Sequence, residues 1–270
     1  MCAVALGWTL VIPTAHAWWE LGHKSVCEAA LALLSRQATE QLEQLMAGES
    51  FVEGCVWPDV VKNTTRKETA VWHYLNIADE VDQVAAAPRP ENGDLLTALW
   101  TQWQILADAQ HSSAMRKDAV RFVGHFVGDL HQPLHLGRPE DWGGNRYKVA
   151  IVPALREFFD EPDRATTKIH AIWDGYLPRY SEKISGKPLL DLLRDETLVR
   201  KGLVSEATIE QWAQESLELA RQSSVGYRGD RLEQLDEAYL SAHQEQVLSR
   251  LTYAARRLAM LLEQALSPSP

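Results

Sequence analysis

Apolar residues recur at intervals of three and four along most of this chain, and this helical periodicity constrains the fold more than any other feature of the sequence. Near the start of the chain, Val26, Ala29, Ala30, Leu33 and Leu34 follow the pattern. Strong helix formers fill many of the positions between them. The periodicity predicts helices in six segments: 21–45, 95–109, 115–130, 165–176, 206–222 and 232–264.

Strand patterns are rare in comparison. Residues 147–153 are the one candidate, and they could form one arm of a hairpin beside the Gly143-Gly144 turn. The residues from 18 onward, about 250 of the 270, can build one sizeable core, and no linker rich in Pro, Gly or Ser divides them. We therefore predict an all-α, single-domain, multi-helix fold over residues 18–266, with at most a short β-hairpin, and a disordered tail at 267–270.

The first seventeen residues predict a secretory signal peptide. They contain no Lys, Arg, Asp or Glu, and they end on the sequence Ala15-His16-Ala17, which is typical of a cleavage site. Their apolar run is shorter than the roughly 20 residues that a membrane span needs, which disfavours a membrane anchor. We expect cleavage after Ala17, a mature chain that begins at Trp18, and a secreted or periplasmic protein without membrane attachment.

The net charge of −10 argues against a protein that holds nucleic acid on a broad basic surface. Carboxylates that gather to bind divalent cations are another source of negative charge. Each divalent cation bound in this way would return two positive charges. We therefore expect any contact with nucleic acid to be local and centred on metal ions, with a shallow dependence on salt concentration.

Two cysteines, Cys27 and Cys55, remain once Cys2 has left with the signal peptide. An exported protein meets an oxidising compartment, in which a disulfide between these residues would persist. Two cysteines alone do not determine a geometry, so a pair of buried free thiols is the alternative.

Two His/Asp pairs at four-residue spacing carry most of the chemical information. Residues four apart lie on one face of a helix, about 5 to 6 Å from each other, so that both can bind one cation. The pairs are His125 with Asp129 and His170 with Asp174. One pair alone could be an ordinary surface contact, but two pairs and a further histidine favour a metal centre.

The residues around the first pair support such a centre. Pro133 should end the helix within residues 130–132, so that His135 lies on a returning loop and can point back toward the metal. Gly124 and Gly128 lie on the neighbouring face of the helix, where a missing side chain lets a ligand or another helix approach closely. Helix packing alone is the alternative explanation of these glycines.

Three further candidate ligands lie upstream, namely His23, Asp59 and His73. Taken singly, each is more simply explained as an ordinary polar residue of the core or surface. The expected new terminus at Trp18 adds an α-amine that titrates near 7.7 to 8.0 when free, so a nearby cation can deprotonate it. Removal of the signal peptide would then complete a metal site.

These residues together resemble a known family, the zinc-dependent single-strand-specific nucleases, which include fungal secreted enzymes and plant bifunctional nucleases. The resemblance covers essentially the whole mature chain. It rests on five motifs in the order of the family: Trp18-x4-His23, Trp57-Pro58-Asp59, His73-Tyr74, His125-x3-Asp129-x5-His135 and His170-x3-Asp174. The resemblance implies the fold of the nuclease/phospholipase C superfamily and three zinc ions per chain.

The resemblance also implies a ligand set for each zinc ion. The ligands of the first ion would be Asp59, His73, His125 and Asp129. The ligands of a second ion, close to the first, would be Asp129 as a bridge, His23, and the amine and carbonyl of Trp18. The ligands of the third, more distant ion would be His135, His170 and Asp174.

Some members of the family form a disulfide at the positions of Cys27 and Cys55. In this chain, such a bond would connect the segments that carry His23 and Asp59. The resemblance therefore favours the disulfide over two free thiols.

The activity implied by the resemblance is that of an endonuclease and 3′-nucleotidase acting on single-stranded DNA, RNA and 3′-nucleotides. Zinc-bound water, with a pKa lowered toward about 7, would be the attacking group, and the products would carry a 5′-phosphate. We expect the enzyme to be a monomer.

Several residues match, or lie near, positions at which the family contacts substrate. They are Lys62 for phosphate, Tyr74 for base stacking, Asn76 and Asn145 for the base and its pocket, and Arg146 or Lys148 as additional basic contacts. Several members carry Asp at the position of Asn76, so the base preference is left open. Solvated surface charge is the alternative for Lys62, Arg146 and Lys148, and turn chemistry is the alternative for Asn145.

Two other functions share parts of this pattern. A phospholipase C would use the same fold and three zinc ions, but its last ligand pair resembles His-x3-Glu, whereas this chain has Asp174. Tyr74 also suits a nucleobase better than a choline group. A non-catalytic zinc-binding protein would need neither Tyr74 nor Lys62, so the sequence favours the nuclease.

Overall fold

The structure is a computed structural model that describes residues 18–193, 204–229 and 231–267. The predicted signal peptide and the last three residues of the predicted tail lie outside these residues. Twelve α-helical segments and three short strands occur within the described part, which confirms the all-α prediction. None of the described helices combines the length and apolar character that a bilayer crossing requires.

The α-helices are α1 (Trp19–Leu31), α2 (Arg36–Met46), α3 (Phe51–Gly54), α4 (Trp57–Val61), α5 (Leu95–Ala107), α6 (Ser113–His131), α7 (Pro153–Phe158), α8 (Ile169–Ala171), α9 (Leu177–Ser185), α10 (Leu189–Leu193), α11 (Glu206–Ala220) and α12 (Glu237–Leu266). The strands are β1 (Lys148–Ile151), β2 (Thr166–Lys168) and β3 (Gln234–Leu235). The 3-10 segments are Lys67–His73, Val84–Ala86, Pro133–Leu136 and Ser223–Val225, and a π-helical segment, Ile172–Tyr176, joins α8 to α9.

Four of the six predicted helical segments are confirmed as α5, α6, α11 and α12, with ends that shift by up to five residues. The prediction is wrong at 234–235, where the expected start of the last helix is strand β3. The segment 21–45 is two helices rather than one, because the chain turns after α1 and Ser35 caps α2 by accepting a hydrogen bond from the Ala38 amide. The prediction for 165–176 is wrong over its first part, where β2 precedes the helix. The β-branched Thr166 and Thr167 favour a strand once β1 lies beside them.

The strand predicted at 147–153 is present as β1, in the middle of a three-stranded sheet of order β2-β1-β3. β2 pairs with β1 in antiparallel fashion, with Lys148 opposite Lys168, and β3 pairs with β1 in parallel. The β1/β2 hairpin therefore forms across α7 rather than across the Gly143-Gly144 turn. The pairing of β1 with β3 could not be predicted from the periodicity, because β3 is remote in sequence.

Helix α6 passes through the centre of the molecule. It packs against α5, α12 and α1, and every residue from Phe122 to His131 is buried. Because α6 is buried on all sides in this part, the polar side chains of His125 and Asp129 lie in the interior of the protein. As Pro133 predicts, α6 ends at His131, and the chain then returns as the 3-10 segment Pro133–Leu136.

A disulfide connects Cys27 of α1 to Cys55, which directly follows α3. Both sulfur atoms face Gly124 of α6. The predicted disulfide is therefore confirmed. It fastens the segments that carry His23 and Asp59 against the central helix.

Candidate metal centre

The eight side chains predicted as metal ligands converge on one interior region, although they come from six segments of the chain. They are His23 of α1, Asp59 of α4, His73 at the end of a 3-10 segment, His125 and Asp129 of α6, His135 of the returning turn, and His170 and Asp174 of the helix after β2. Each is at most 7% exposed. Such a concentration of imidazoles and carboxylates away from water is costly unless a cation binds them.

Asp129 lies at the centre of this cluster. Its Oδ1 atom is 3.4 Å from His23 Nε2 and 3.8 Å from His135 Nδ1. Its Oδ2 atom is 3.0 Å from His73 Nδ1 and 3.3 Å from His125 Nε2. One carboxylate therefore faces His23 on one oxygen and His73 and His125 on the other, which is the arrangement that a bridging ligand needs. The nearby Nδ1 of His135 donates instead to the carbonyl oxygen of His73.

Asp59 approaches the same cluster from α4. Its Oδ1 atom is 3.5 Å from His125 Nε2 and 3.7 Å from His73 Nδ1. Lys62, which follows α4 directly, donates a hydrogen bond to this oxygen. Two groups of three residues in this region could hold a metal ion: His23 with Asp59 and His125, and His73 with His125 and Asp129.

A further group that could hold a metal ion consists of His135, His170 and Asp174. His170 Nε2 is 3.3 Å from Asp174 Oδ2, and His135 Nε2 is 4.0 Å from Asp174 Oδ1. Asp174 lies in the π-helical segment, an irregularity that often occurs at functional sites. Gln132, which sequence reasoning missed, donates from Nε2 to Asp174 Oδ1 at 2.5 Å and so orients the carboxylate.

Backbone carbonyl oxygens orient three of the histidines. The bonds run from Nδ1 to a carbonyl oxygen at 2.6 or 2.7 Å: His125 to Cys55, His135 to His73, and His170 to Gly143. An Nδ1–H group that donates to a carbonyl leaves the lone pair on Nε2. Histidines that bind metals are usually held in this way.

Several buried polar atoms of the cluster have no hydrogen-bond partner among the described residues. They are both ring nitrogens of His23, Nε2 of His73, Oδ1 of Asp129 and Oδ2 of Asp174. Each such atom would cost about 1 to 3 kcal/mol if it remained unsatisfied. Imidazole and carboxylate donors suit zinc, so the residues present fit a cluster of divalent ions.

Burial lowers the pKa of three of the histidines. The pKa values of His73 and His170 are lowered to about 4, and that of His135 to about 3, chiefly because the interior disfavours the charged ring. These imidazoles are therefore neutral at pH 7, which is the form that binds a metal ion. Burial raises the pKa of Asp174 well above its usual range, and a divalent cation beside it would favour the ionised form instead.

Trp18, the predicted first residue of the mature chain, lies beside Asp174. Its side chain is completely buried, and its indole Nε1 donates to the carbonyl oxygen of Gly128 at 2.5 Å. The backbone amide of Trp18 favours the ionised form of the Asp174 carboxylate and so opposes the larger effect of burial on the pKa of Asp174. The nitrogen that signal-peptide removal would release therefore lies at the edge of the cluster.

Gly124 and Gly128 allow close approach to α6, each for a different neighbour. A Cβ atom at Gly124 would lie 2.6 Å from Cys55 Sγ, whereas a Cβ atom at Gly128 would lie 2.7 Å from His23 Nδ1. Both distances are shorter than real contacts. Gly124 therefore makes room for the disulfide, and Gly128 makes room for a candidate metal ligand.

Gly128→Ala is expected to lower metal binding, although alanine usually favours a helix interior over glycine by about 1 kcal/mol. The added methyl group would displace the His23 ring. We expect elemental analysis to show the loss of about one zinc ion per chain and nuclease assays to show at least a roughly tenfold loss of activity. Gly54→Ala is the control, because its added methyl group meets only the ends of flexible side chains, those of Arg121 at 3.0 Å and Met46 at 3.4 Å. Full zinc content in Gly128→Ala would contradict the prediction.

A cleft connects the cluster to solvent. It is lined by His135 and His170 and by four of the residues predicted to contact substrate: Lys62, Tyr74, Asn76 and Asn145. The side chain of Tyr74 is 40% exposed, so its ring is accessible from the cleft. The cleft therefore combines candidate metal ligands with a cation and an aromatic ring.

Two residues that sequence reasoning missed, Trp142 and Lys168, also line this cleft. The predicted contact Arg146 lies outside the lining and stacks on Trp142, with its guanidinium carbon 3.7 Å from the ring centroid. Trp142 could have been identified as a candidate from its position directly before the Gly143-Gly144 turn. Lys168 could have been noticed from its position two residues before His170.

The sequence profile of the S1/P1 nuclease family matches residues 18–267. The chain belongs to the S1/P1 nuclease family. Endonuclease 1 of Arabidopsis thaliana is 26% identical over 287 aligned positions, which cover 95% of this chain and 89% of that protein. Nuclease S1 of Aspergillus oryzae and nuclease P1 of Penicillium citrinum are also 26% identical, over 67% and 64% of this chain and 62% of either relative.

Membership of the S1/P1 nuclease family makes this chain a hydrolase of phosphodiester bonds in nucleic acid, and the resemblance carried by the five motifs is confirmed. The family is zinc-dependent in general, and this nuclease has three groups of His and Asp residues that could hold metal ions. Members of the family are secreted. The disulfide of this S1/P1 nuclease suits the oxidising compartment that a secreted protein meets.

Proposed function

We propose that this S1/P1 nuclease cleaves single-stranded DNA and RNA internally and also hydrolyses 3′-nucleotides, and that its phosphodiester products carry a 5′-phosphate. The observation that carries the proposal is the convergence of eight buried His and Asp side chains beside an open cleft that contains a tyrosine and a lysine. Hydrolysis of an unstacked strand needs metal ligands, access for phosphate and a ring on which a base can stack.

The proposal includes three zinc ions per chain. The proposed ligands of the first ion are Asp59, His73, His125 and Asp129. The proposed ligands of the second are Asp129, His23 and the terminal amine and carbonyl of Trp18, and those of the third are His135, His170 and Asp174. When bound, zinc supplies Lewis acidity and hydroxide at neutral pH.

The side chains of the protein orient these ligands and the substrate. Lys62 both donates to Asp59 and lines the cleft, so its ammonium group can also contact a phosphate oxygen. A positive charge at this position would stabilise the negative charge that develops on phosphate during hydrolysis. Gln132 holds Asp174 in place through its hydrogen bond to Oδ1, and Asn76 and Asn145 offer donors and acceptors to a base.

Tyr74→Ala is expected to weaken the binding of a single-stranded oligonucleotide by about 1 to 3 kcal/mol, because a stacked base would lose its partner. The KM should rise accordingly, while zinc content stays unchanged. Tyr74→Phe keeps the ring and is the matched control, which should behave like the native enzyme. A native KM for single-stranded substrate in Tyr74→Ala would show that no base stacks there.

We further propose that residues 18–266 form the nuclease domain of an exported monomer from which residues 1–17 are removed. Two observations support removal of this segment. The backbone amide of Trp18 favours the ionised form of the Asp174 carboxylate, and the disulfide between Cys27 and Cys55 would persist only outside a reducing compartment.

Assays of the purified protein on single-stranded DNA, duplex DNA and phosphatidylcholine test the proposal, together with elemental analysis for zinc. The proposal expects cleavage of single strands in preference to duplex, no release of phosphocholine, and about three zinc ions per chain. Release of phosphocholine would favour a phospholipase C instead. Bound zinc without any hydrolysis would favour a zinc-binding protein.

A further inference from the structure

We propose that one edge of the cleft and the surface next to it form a second substrate-binding region of this nuclease, and that the region holds the part of a single strand that extends beyond the cleaved phosphate. It consists of Trp142, Arg146, Lys148 and Lys168, which we call the strand-binding arm. This inference rests on the proposed nuclease function. It predicts that the arm makes the enzyme prefer single-stranded polymers to 3′-mononucleotides.

Trp142 is presented to solvent by a strained and well-anchored loop. Its φ of +56° lies in the left-handed region, which is unfavourable for a tryptophan. The following Gly143 accepts a hydrogen bond from His170 at 2.6 Å, and the preceding Asp141 accepts one from the Tyr227 hydroxyl at 2.6 Å. The indole is nevertheless 58% exposed. A strained backbone that holds a large ring in solvent at the edge of a cleft is typical of a ligand contact.

Arg146 makes this ring suitable for stacking. Its guanidinium carbon lies 3.7 Å from the centroid of the Trp142 ring. The guanidinium covers one face of the indole and fixes its orientation, so the opposite face is available to a nucleobase.

Lys148 and Lys168 form the charged part of the arm. They lie directly opposite each other in the antiparallel pair of β1 and β2, where side chains share one face of the sheet and like charges repel. Both side chains are exposed, and no described carboxylate forms an ion pair with either lysine. Lys168 also lines the zinc cleft. An anion bound between the two lysines would remove their repulsion, and a phosphodiester backbone is such an anion.

The arm supplies what a longer substrate needs beyond the cleft itself. A 3′-mononucleotide has one base and one phosphate, for which Tyr74 and the metal centre are sufficient. A single strand has further bases and phosphates, and the arm offers one ring and two lysines for them. Because the chain has a net charge of −10, these lysines provide attraction that is local rather than spread over the surface.

Steady-state kinetics of the zinc-loaded enzyme on a thymidine decamer and on 3′-thymidine monophosphate test the arm. For the double variant Lys148→Gln/Lys168→Gln, we expect the ratio of kcat/KM for the decamer to that for the mononucleotide to fall about tenfold, and the slope of log KM against log salt concentration to become shallower by about 1.4. For Trp142→Ala, we expect the same ratio to fall roughly 5- to 100-fold.

Lys187→Gln, at an exposed lysine between α9 and α10, controls for the loss of positive charge and should leave the ratio unchanged. An unchanged ratio in the arm variants, or an equal loss on both substrates, would overturn the inference. If the native enzyme cleaves neither substrate, the proposed function fails instead. The uncleaved decamer then allows the same variants to be compared by fluorescence anisotropy, where an unchanged affinity would overturn the arm.

Discussion

Asp129→Asn is expected to remove nearly all nuclease activity and to lower the zinc content by at least about one ion per chain. The native carboxylate faces the nitrogens of three imidazoles at 3.0 to 3.4 Å. An amide keeps the shape but loses the negative charge, and one of its two terminal atoms is a nitrogen that donates instead of accepting. Loss of an outer-shell partner typically costs about 10- to 100-fold, so loss of a bridging ligand should cost about 1000-fold or more.

The measurement is kcat/KM on single-stranded DNA, with zinc determined on the same preparation. Asp118→Asn is a matched control, since Asp118 lies on the same helix but is 31% exposed and forms its ion pairs with Arg66 and Arg121, outside the cluster. Pairs of this kind contribute little, so this variant should retain native activity and zinc. Native activity together with full zinc content in Asp129→Asn would exclude a bridging role for this carboxylate.

The second large effect is expected at the N-terminus: a protein that retains a single residue before Trp18 should lose about one zinc ion and about 99% of its activity, in line with the loss of a ligand. A free α-amine titrates near 7.7 to 8.0 and can bind a cation. Once acylated by a preceding residue, the same nitrogen becomes a peptide amide without an available lone pair. The indole of Trp18 remains anchored on Gly128, so the fold itself should persist.

The matched comparison is a single fusion protein cleaved at two positions, either directly before Trp18 or one residue earlier. Thermal unfolding in the presence of zinc shows whether both forms fold, and elemental analysis counts the ions. Equal zinc content and equal activity in the two forms would exclude the amine of Trp18 as a ligand.

Part of the candidate site could be predicted because its spacing is local. His125 with Asp129, and His170 with Asp174, are each four residues apart on helical segments, and the structure holds the facing atoms of each pair at 3.3 Å. Pro133 predicts the end of α6 for the same reason, since it restricts only its immediate neighbour. Local spacing did not predict Asp59 as a metal ligand. Only the resemblance to a family connected this residue with the other candidate ligands.

Other features could not be predicted, because they arise from contacts between distant segments. Residues Thr166–Lys168 form a strand because they pair with β1. The apolar periodicity of this segment alone predicted a helix. The pKa of His135 is lowered to about 3 chiefly by burial, which no spacing reveals. Trp142 and Lys168 lie next to recognisable motifs, but no spacing reveals that the loop after Leu136 and strand β2 border one cleft.

The sequence by itself determined the helical character of the chain, two His/Asp pairs and the order of motifs that identifies the family. Each of these depends on residues a few positions apart, or on the order of residues along the chain. Only the tertiary structure decided that Asp129 faces imidazoles from three segments and that two lysines oppose each other beside the cleft. The physical reason is that such contacts form when remote segments bury apolar surface together. The free energy gained by this burial depends on the whole folded chain and not on any short segment.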